Sequence, residues 1–456
     1  MSGHDTMGSI ATSFPELSGS QQHEASNSRP VGAPNLNIGP QPLFDTFEAF
    51  ENSSASEYAA DRPSIVDYIK LFEPTINAHQ DYQYVRSFLT SYNGRETTFR
   101  SYRTQVERLL LWSWIKCGKS VTSLKRTDAE AFMQFCCQPD PDWIGDAVRQ
   151  RFLLAEGVYS PNPQWRPFGS LSKKATRKVA AENMVELDTP QYAISAGSTR
   201  QVFAICSSFY KFLIEEEVPT GNPFKAIKQK SKWVSKESRK VTPKVLSRLQ
   251  WDYVIETAEL MANQDPKHER SLFILATLFA MYLRVSDIVG IADWKPTMGS
   301  FVKLKGTWWY EVTGKGNKEA RVSVKDDYLN YLKRYRVSRN LTPLPSPGET
   351  TPLLVHLNGK AGLTDRHVRK IVQVIFDQAL ERMKSEGRDE DEYNELRSAS
   401  LHWLRHTSAT FDAPFREMKH LQADLRHENM STTQDIYYEA LDDERADSNR
   451  RLRIRD

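Results

Sequence analysis

Five short segments hold side chains that could do chemistry together. In chain order they are Tyr282-Leu283-Arg284-Val285-Ser286-Asp287, Gly314-Lys315-Gly316-Asn317-Lys318, His402-Trp403-Leu404-Arg405-His406-Thr407, Leu425-Arg426-His427 and Thr432-Thr433-Gln434-Asp435-Ile436-Tyr437. Arg284 follows a strongly apolar stretch read as a helix over 273–283, where an arginine is costly to bury unless paired. Asp287, three residues on and on the same helical face, is its expected partner. The same carboxylate could hold a guanidinium fork against a phosphate. Gly-Lys-Gly-Asn is hairpin chemistry, and it sets Lys315 at a tight turn from which a side chain can reach a groove. His402 and Arg405 share a helix face at i, i+3, and His406 lies one turn from His402 at a metal-ligand spacing. No acidic or thiol ligand accompanies that pair at a familiar spacing, so no metal site is expected. Taken singly, Tyr437 and Tyr438 read as packing aromatics.

These groups need elements to hold them. Residues 1–60 are rich in Ser, Gly, Pro, Asn and Gln and lack apolar periodicity, so this segment is expected to be disordered, with a short helix near 44–50. Residues 61–221 read as an all-helical domain. Over 98–116, Tyr102, Val106, Leu109, Leu110 and Trp114 recur every three to four residues with basic residues between them. Similar patterns fill 129–137 and 198–216. The stretch 138–170 holds five prolines and two tryptophans and reads as a loop or inserted lid. Gly221-Asn222-Pro223 ends the domain, and 222–241 reads as a basic linker. Across 225–248 nine Lys or Arg residues face one acid, Glu237, which suits either a solvated linker or a strap contacting phosphates. Residues 242–456 read as a mixed domain. Helices are expected at 243–263, 269–290, 326–337, 366–386, 402–411 and towards the C-terminus, with strands alternating through 301–325. The fold class is therefore α+β and mostly helical: an all-α domain, then a mixed one with a small antiparallel sheet.

Composition narrows the functional classes. With 39% hydrophobic and 26% charged residues and mean hydropathy −0.57, the chain of 456 residues has no stretch apolar enough to cross a bilayer. Cys117, Cys136, Cys137 and Cys206 are too few and too irregular for a disulfide framework or zinc site. They read as reduced core thiols of a cytoplasmic protein. Net charge is +3, but residues 1–60 carry one basic and seven acidic side chains, which leaves the remainder clearly basic. Such asymmetry is a first hint of nucleic acid.

In order and spacing the five segments resemble the tyrosine recombinase (phage integrase) family: an L-R-V-S-D arginine, a G-K-G-N-K hairpin, an H-x-L-R-H-T helix, a later histidine and T-T-x-x-x-Y. By that resemblance Arg284 and Arg405 are catalytic arginines, Asp287 supports the first, and Lys315 is the hairpin lysine. His402 belongs to the His-x-x-Arg pair, His427 is the later histidine and Tyr437 the nucleophile. The resemblance implies a site-specific recombinase that cleaves and rejoins DNA with no cofactor, metal or ATP. A phenol attacks the phosphodiester, and a 3′-phosphotyrosine keeps the bond energy. The two guanidiniums offset the charge of the transition state, His402 accepts or orients the phenol proton, Lys315 protonates the leaving oxygen and His427 donates to a non-bridging oxygen. The implied partners are double-stranded DNA with inverted-repeat core sites, a homotetramer on synapsed DNA and accessory DNA-bending proteins, with a nucleoid location. Arg100, Arg103, Lys211, Lys225, Lys228, Lys230 and Lys232 are candidate phosphate contacts of a two-domain clamp. A type IB topoisomerase or a non-catalytic DNA-binding relative would share parts of the pattern. Three departures stand out: Arg426 replaces the usual glycine, 411–419 lacks the glycine common after the His-x-x-Arg helix, and Tyr437 follows His427 by ten residues.

Overall fold

The computed structural model describes residues 38–92, 96–170, 192–228, 233, 244–291, 293–314 and 318–450. They form two compact units, one ending with Trp233 and one beginning at Lys244. Both are mainly helical with small sheets.

The first unit has helices α1 (Phe47–Glu51), α2 (Ala55–Asp61), α3 (Pro63–Lys70), α4 (Ala78–Thr90), α5 (Glu96–Trp112), α6 (Arg126–Cys137) and α7 (Ala196–Glu215). One core unites them, with Val85, Phe88, Leu109, Leu110, Phe132, Val202 and Phe209 all fully buried. From residue 38 onward the expected disorder gives way to packed structure. Leu43, Phe44, Phe50 and Tyr58 are buried in that same core, and Phe44 stacks on Tyr82 with ring centres 5.1 Å apart. The backbone N–H groups of Leu43 and Phe44 donate to Glu107 at 2.8 and 3.2 Å. Arg62 pairs with Asp45 at 2.6 Å. A few aromatics spaced through a polar segment suffice to dock it, although its average composition argues for disorder. Residues 1–37 lie outside the described residues.

The stretch expected to be a loop at 138–170 is also ordered. Strands β1 (Ile144–Gly145), β2 (Phe152–Ala155), β3 (Val158–Pro161) and β4 (Phe168–Gly169) make a two-residue parallel pair, β1 with β4, and an antiparallel hairpin, β2 with β3. Buried Trp143 and Trp165 anchor them to the core.

The second unit has α8 (Arg248–Gln264), α9 (Glu269–Ala280), α10 (Val285–Val289), β5 (Phe301–Leu304), β6 (Thr307–Gly314), β7 (Lys318–Ser323) and α11 (Tyr328–Ser338). Then follow α12 (Asp365–Ser385), α13 (Glu390–Ser398), α14 (Leu401–Asp412), α15 (Met418–Leu425) and α16 (Met430–Arg450). The strands form one antiparallel sheet in sequence order. α8 starts five residues later than the pattern suggests, where Ser247 and Gln250 close a capping box. The long helix expected over 269–290 is broken. α9 stops at Ala280, Tyr282 turns left-handed at φ 51°, and the Leu283 N–H returns to the Leu278 carbonyl. Arg284 is extended at φ −79°, ψ 154°, and caps α10 instead of lying inside a helix.

Candidate active site

Arg405 is the centre of the site. It sits on α14, one turn after His402, and is only 5% exposed. Its guanidinium donates to two backbone carbonyls, those of Tyr282 and Leu425. It thereby ties the α9–α10 turn, which carries Arg284, to the end of α15, which carries Arg426 and His427. A buried guanidinium needs such partners. Burial and the nearby charges of Arg284 and Arg426 push its pKa down, against the pull of Asp287.

Asp287 does not pair with the Arg284 side chain, as the sequence spacing led one to expect. Its Oδ2 accepts the Arg284 backbone N–H at 2.7 Å, capping α10. Both of its oxygens accept the guanidinium of Arg426 instead. The spacing argument fails because Arg284 is a cap residue in extended backbone, and the three-residue rule applies within a helix. Arg426 itself is left-handed, φ 52°, ψ 46°, at the end of α15, a conformation that costs a non-glycine residue about 1–2 kcal/mol.

Three imidazoles share this field of arginines. His402 and His406 face each other across one turn of α14, with their Nε2 atoms 3.0 Å apart. Partial burial, then Arg405, Lys244, Arg369 and Arg284, lower the His402 pKa. His406 is pushed down to about 4 by burial, His402, Arg405 and Lys244. His427 is also pushed down to about 4, by burial, Arg405, Arg284 and His406. Its Nδ1 lies 3.0 Å from the hydroxyl of Thr433 on α16. All three rings are thus mainly neutral at pH 7. If the buried Thr433 hydroxyl donates to Nδ1, the His427 proton sits on Nε2, free for an acceptor. Among the described residues no group of three or more His, Cys, Asp or Glu could hold a metal ion.

Tyr437 lies on α16 against a small apolar cluster of Tyr282, Ala409, Ala413, Leu421, Leu425 and Ile436. Its hydroxyl donates to the backbone carbonyl of Arg416, and burial raises its pKa. Tyr438, by contrast, is 68% exposed. The Arg416 side chain donates to Asp424 at 2.7 Å and to the Tyr282 hydroxyl at 3.1 Å. Asp424 in turn accepts the backbone N–H of Ser323, at the end of the β6–β7 hairpin, at 3.0 Å. So Arg284, His402, Arg405 and His427 converge, while the Tyr437 hydroxyl is occupied on the neighbouring Arg416 strand of chain. Lys315 lies outside the described residues.

The candidate DNA contacts separate. Arg100 and Lys211 are exposed and pair loosely with Glu96 at 2.8 Å and Glu215 at 3.4 Å. Lys225 and Lys228 are exposed, and Lys230 and Lys232 lie outside the described residues. Arg103 departs from expectation: its guanidinium turns inward to the Asp45 carbonyl and the Phe99 ring. It secures the docked segment and is not presented to a ligand.

No family model matches the chain. It is 27% identical to tyrosine recombinase XerC of Anoxybacillus flavithermus over 245 residues, 53% of this chain and 70% of that protein. It is also 27% identical to tyrosine recombinase XerD of Staphylococcus haemolyticus over 243 residues, 53% of this chain and 71% of that one. The chain is a relative of the tyrosine recombinases. It shares a fold with the XerH site-specific recombinase, solved in a post-cleavage complex with a palindromic difH substrate: TM-score 0.50, 13% identity, covering 91% of this chain and 99% of that one.

Beyond the residues that carry the tyrosine recombinase resemblance, the site recruits Lys244, Arg369, Arg416, Asp424 and Thr433. Thr433 was within reach of sequence reading, since it belongs to the Thr-Thr pair before the tyrosine. The others carry no such signal: Lys244 and Arg369 lie far along the chain from His402, and Arg416 and Asp424, eight residues apart, pair between the bend before α15 and α15 itself.

Proposed function

We propose that the chain is a site-specific DNA recombinase that cuts and rejoins double-stranded DNA through a 3′-phosphotyrosine on Tyr437. The observation that carries this reading is the convergence of Arg284, Arg405, His402 and His427 in one cationic field beside a helix bearing a half-buried tyrosine. A phosphodiester is the ligand such a field suits. Two guanidiniums hold the non-bridging oxygens by charge-assisted hydrogen bonds, which strengthen as negative charge gathers in the transition state. Neutral His402 is able to accept the phenol proton, and His427 donates from Nε2. Lys315 protonates the leaving 5′ oxygen, and Asp287 keeps the α9–α10 turn in place. Before attack the Tyr437 hydroxyl leaves the Arg416 carbonyl, so a shift of α16 is part of the cycle. The partners are inverted-repeat core sites, three further copies of the chain on synapsed DNA, and accessory DNA-bending proteins. Lys225, Lys228, Lys230, Lys232, Arg100 and Lys211 serve as phosphate contacts.

The test is a denaturing gel of protein mixed with nicked suicide duplexes. Tyr437→Phe is expected to lose the covalent band while retaining site binding, and Tyr438→Phe to keep both. A band that persists in Tyr437→Phe and vanishes in Tyr438→Phe would move the nucleophile by one residue. A band in both single variants and in the double variant would remove the mechanism.

A further inference from the structure

Arg426 occupies a backbone position that a glycine would take without strain, left-handed at the end of α15. Its side chain reaches Asp287, 139 positions earlier, and grips both carboxylate oxygens. Asp287 is 3% exposed, and a carboxylate so buried must be neutralised. Arg284, three residues before it, is the only other arginine on that turn, yet its guanidinium has no ion-pair partner among the described residues. Arg405 fixes this relation. Its two carbonyl contacts, at Leu425 and Tyr282, hold the backbones that carry Arg426 and Arg284 on either side of it.

We infer that Arg426 is a positioning residue that takes over the neutralisation of Asp287 and so leaves the Arg284 guanidinium free for the scissile phosphate. This rests on the recombinase reading above. Charge counting shows what is gained. Arg284, Arg405 and Arg426 against Asp287 leave a formal surplus of two positive charges, the histidines being neutral. A phosphodiester carries one negative charge. Attack makes the pentacovalent group doubly negative, and the phenol proton taken up by His402 supplies the matching positive charge, so the arginine surplus has to offset the charge already on the phosphate. Without Arg426 the surplus falls to one, and the buried carboxylate recruits Arg284, in competition with the phosphate.

The experiment is single-turnover cleavage of a nicked duplex by the full chain, with site affinity measured alongside. Arg426→Gly is expected to lower the cleavage rate about 10²–10³-fold, the usual loss for one charge-stabilising group, with affinity nearly unchanged. Combining it with Asp287→Asn is expected to recover most of that loss. The double variant has no buried charge to recruit Arg284, and the asparagine oxygen still accepts the Arg284 N–H. A purely structural cap at Arg426 gives no such rescue. A wild-type rate in Arg426→Gly overturns the inference, as does a double variant that folds natively but stays slow. If Arg426→Gly does not fold, the double variant decides alone by the same criterion. A wild-type protein that forms no Tyr437-dependent covalent band fails at the recombinase reading itself, and the inference falls with it.

Discussion

His402, His406 and His427 stand in a field set by Arg284, Arg405 and Lys244, and that field has a consequence for stability. In the unfolded chain a histidine binds its proton near pH 6.5. In the folded chain His406 and His427 do so only near pH 4. Between those values the unfolded state holds more protons, so these rings make stability rise with pH. Their contribution is complete above pH 6.5 and is lost as pH falls through 4. Asp81 works in the opposite sense, since burial lifts its pKa to about 6, so the net slope is a difference. Replacing His427 by Gln isolates its share. Urea unfolding between pH 4 and 6.5 should show a shallower rise of stability with pH than in the wild type, and an unchanged slope would mean that the ring is solvated. At this scale the sequence is informative about which residue types matter and weak about who holds whom. Arg284, His402, Arg405, His427 and Tyr437 are named by the resemblance of their segments to the tyrosine recombinase family. The Asp287–Arg426 pair could not be read from the sequence, because the two residues are 139 positions apart and a nearer arginine stands beside the carboxylate.

Among the elements, α1 and α2 change the view of the N-terminal segment most. Phe44 and Tyr58 are fully buried, and Glu107 uses its carboxylate to hold the backbone of Leu43 and Phe44. Glu107 also pairs with Arg151 at 2.6 Å. A truncation that begins at Asp61 strips apolar cover and leaves buried charged groups with fewer partners, so the first unit should unfold and site binding should fail. A truncation at residue 38 should retain both. Phe44→Ala in the full chain should cost about 3–5 kcal/mol in urea unfolding. A cost near zero would mean that the segment is not docked. Regular amphipathic helices such as α5, α7, α12 and α14 were legible from their periodicity, and the β5–β7 sheet from its alternation. The break between α9 and α10 was not. Tyr282, Leu283 and Val285 are all buried, so an apolar pattern runs through the turn as it would through a helix. The segment 38–60 was obscured in the opposite way, by averaging its few aromatics over a polar composition.

At the scale of the whole molecule, the basic run 225–248 carries the expectation of long-range attraction to DNA. If about six phosphates are neutralised, the log–log slope of affinity against salt should be near −5. Neutralising Lys228, Lys230 and Lys232 together should flatten it, as read by fluorescence anisotropy on a core-site duplex. An unchanged slope would make the run a linker only. Whether Tyr437 becomes covalently joined to a DNA 3′ phosphate is read by peptide mapping of the trapped complex. After trapping on a nicked duplex and digestion with trypsin and nuclease, the residual nucleotide is expected on Tyr437, attached through its 3′ phosphate. A nucleotide on Tyr438 or another residue, attachment through a 5′ phosphate, or no adduct from active protein would contradict it.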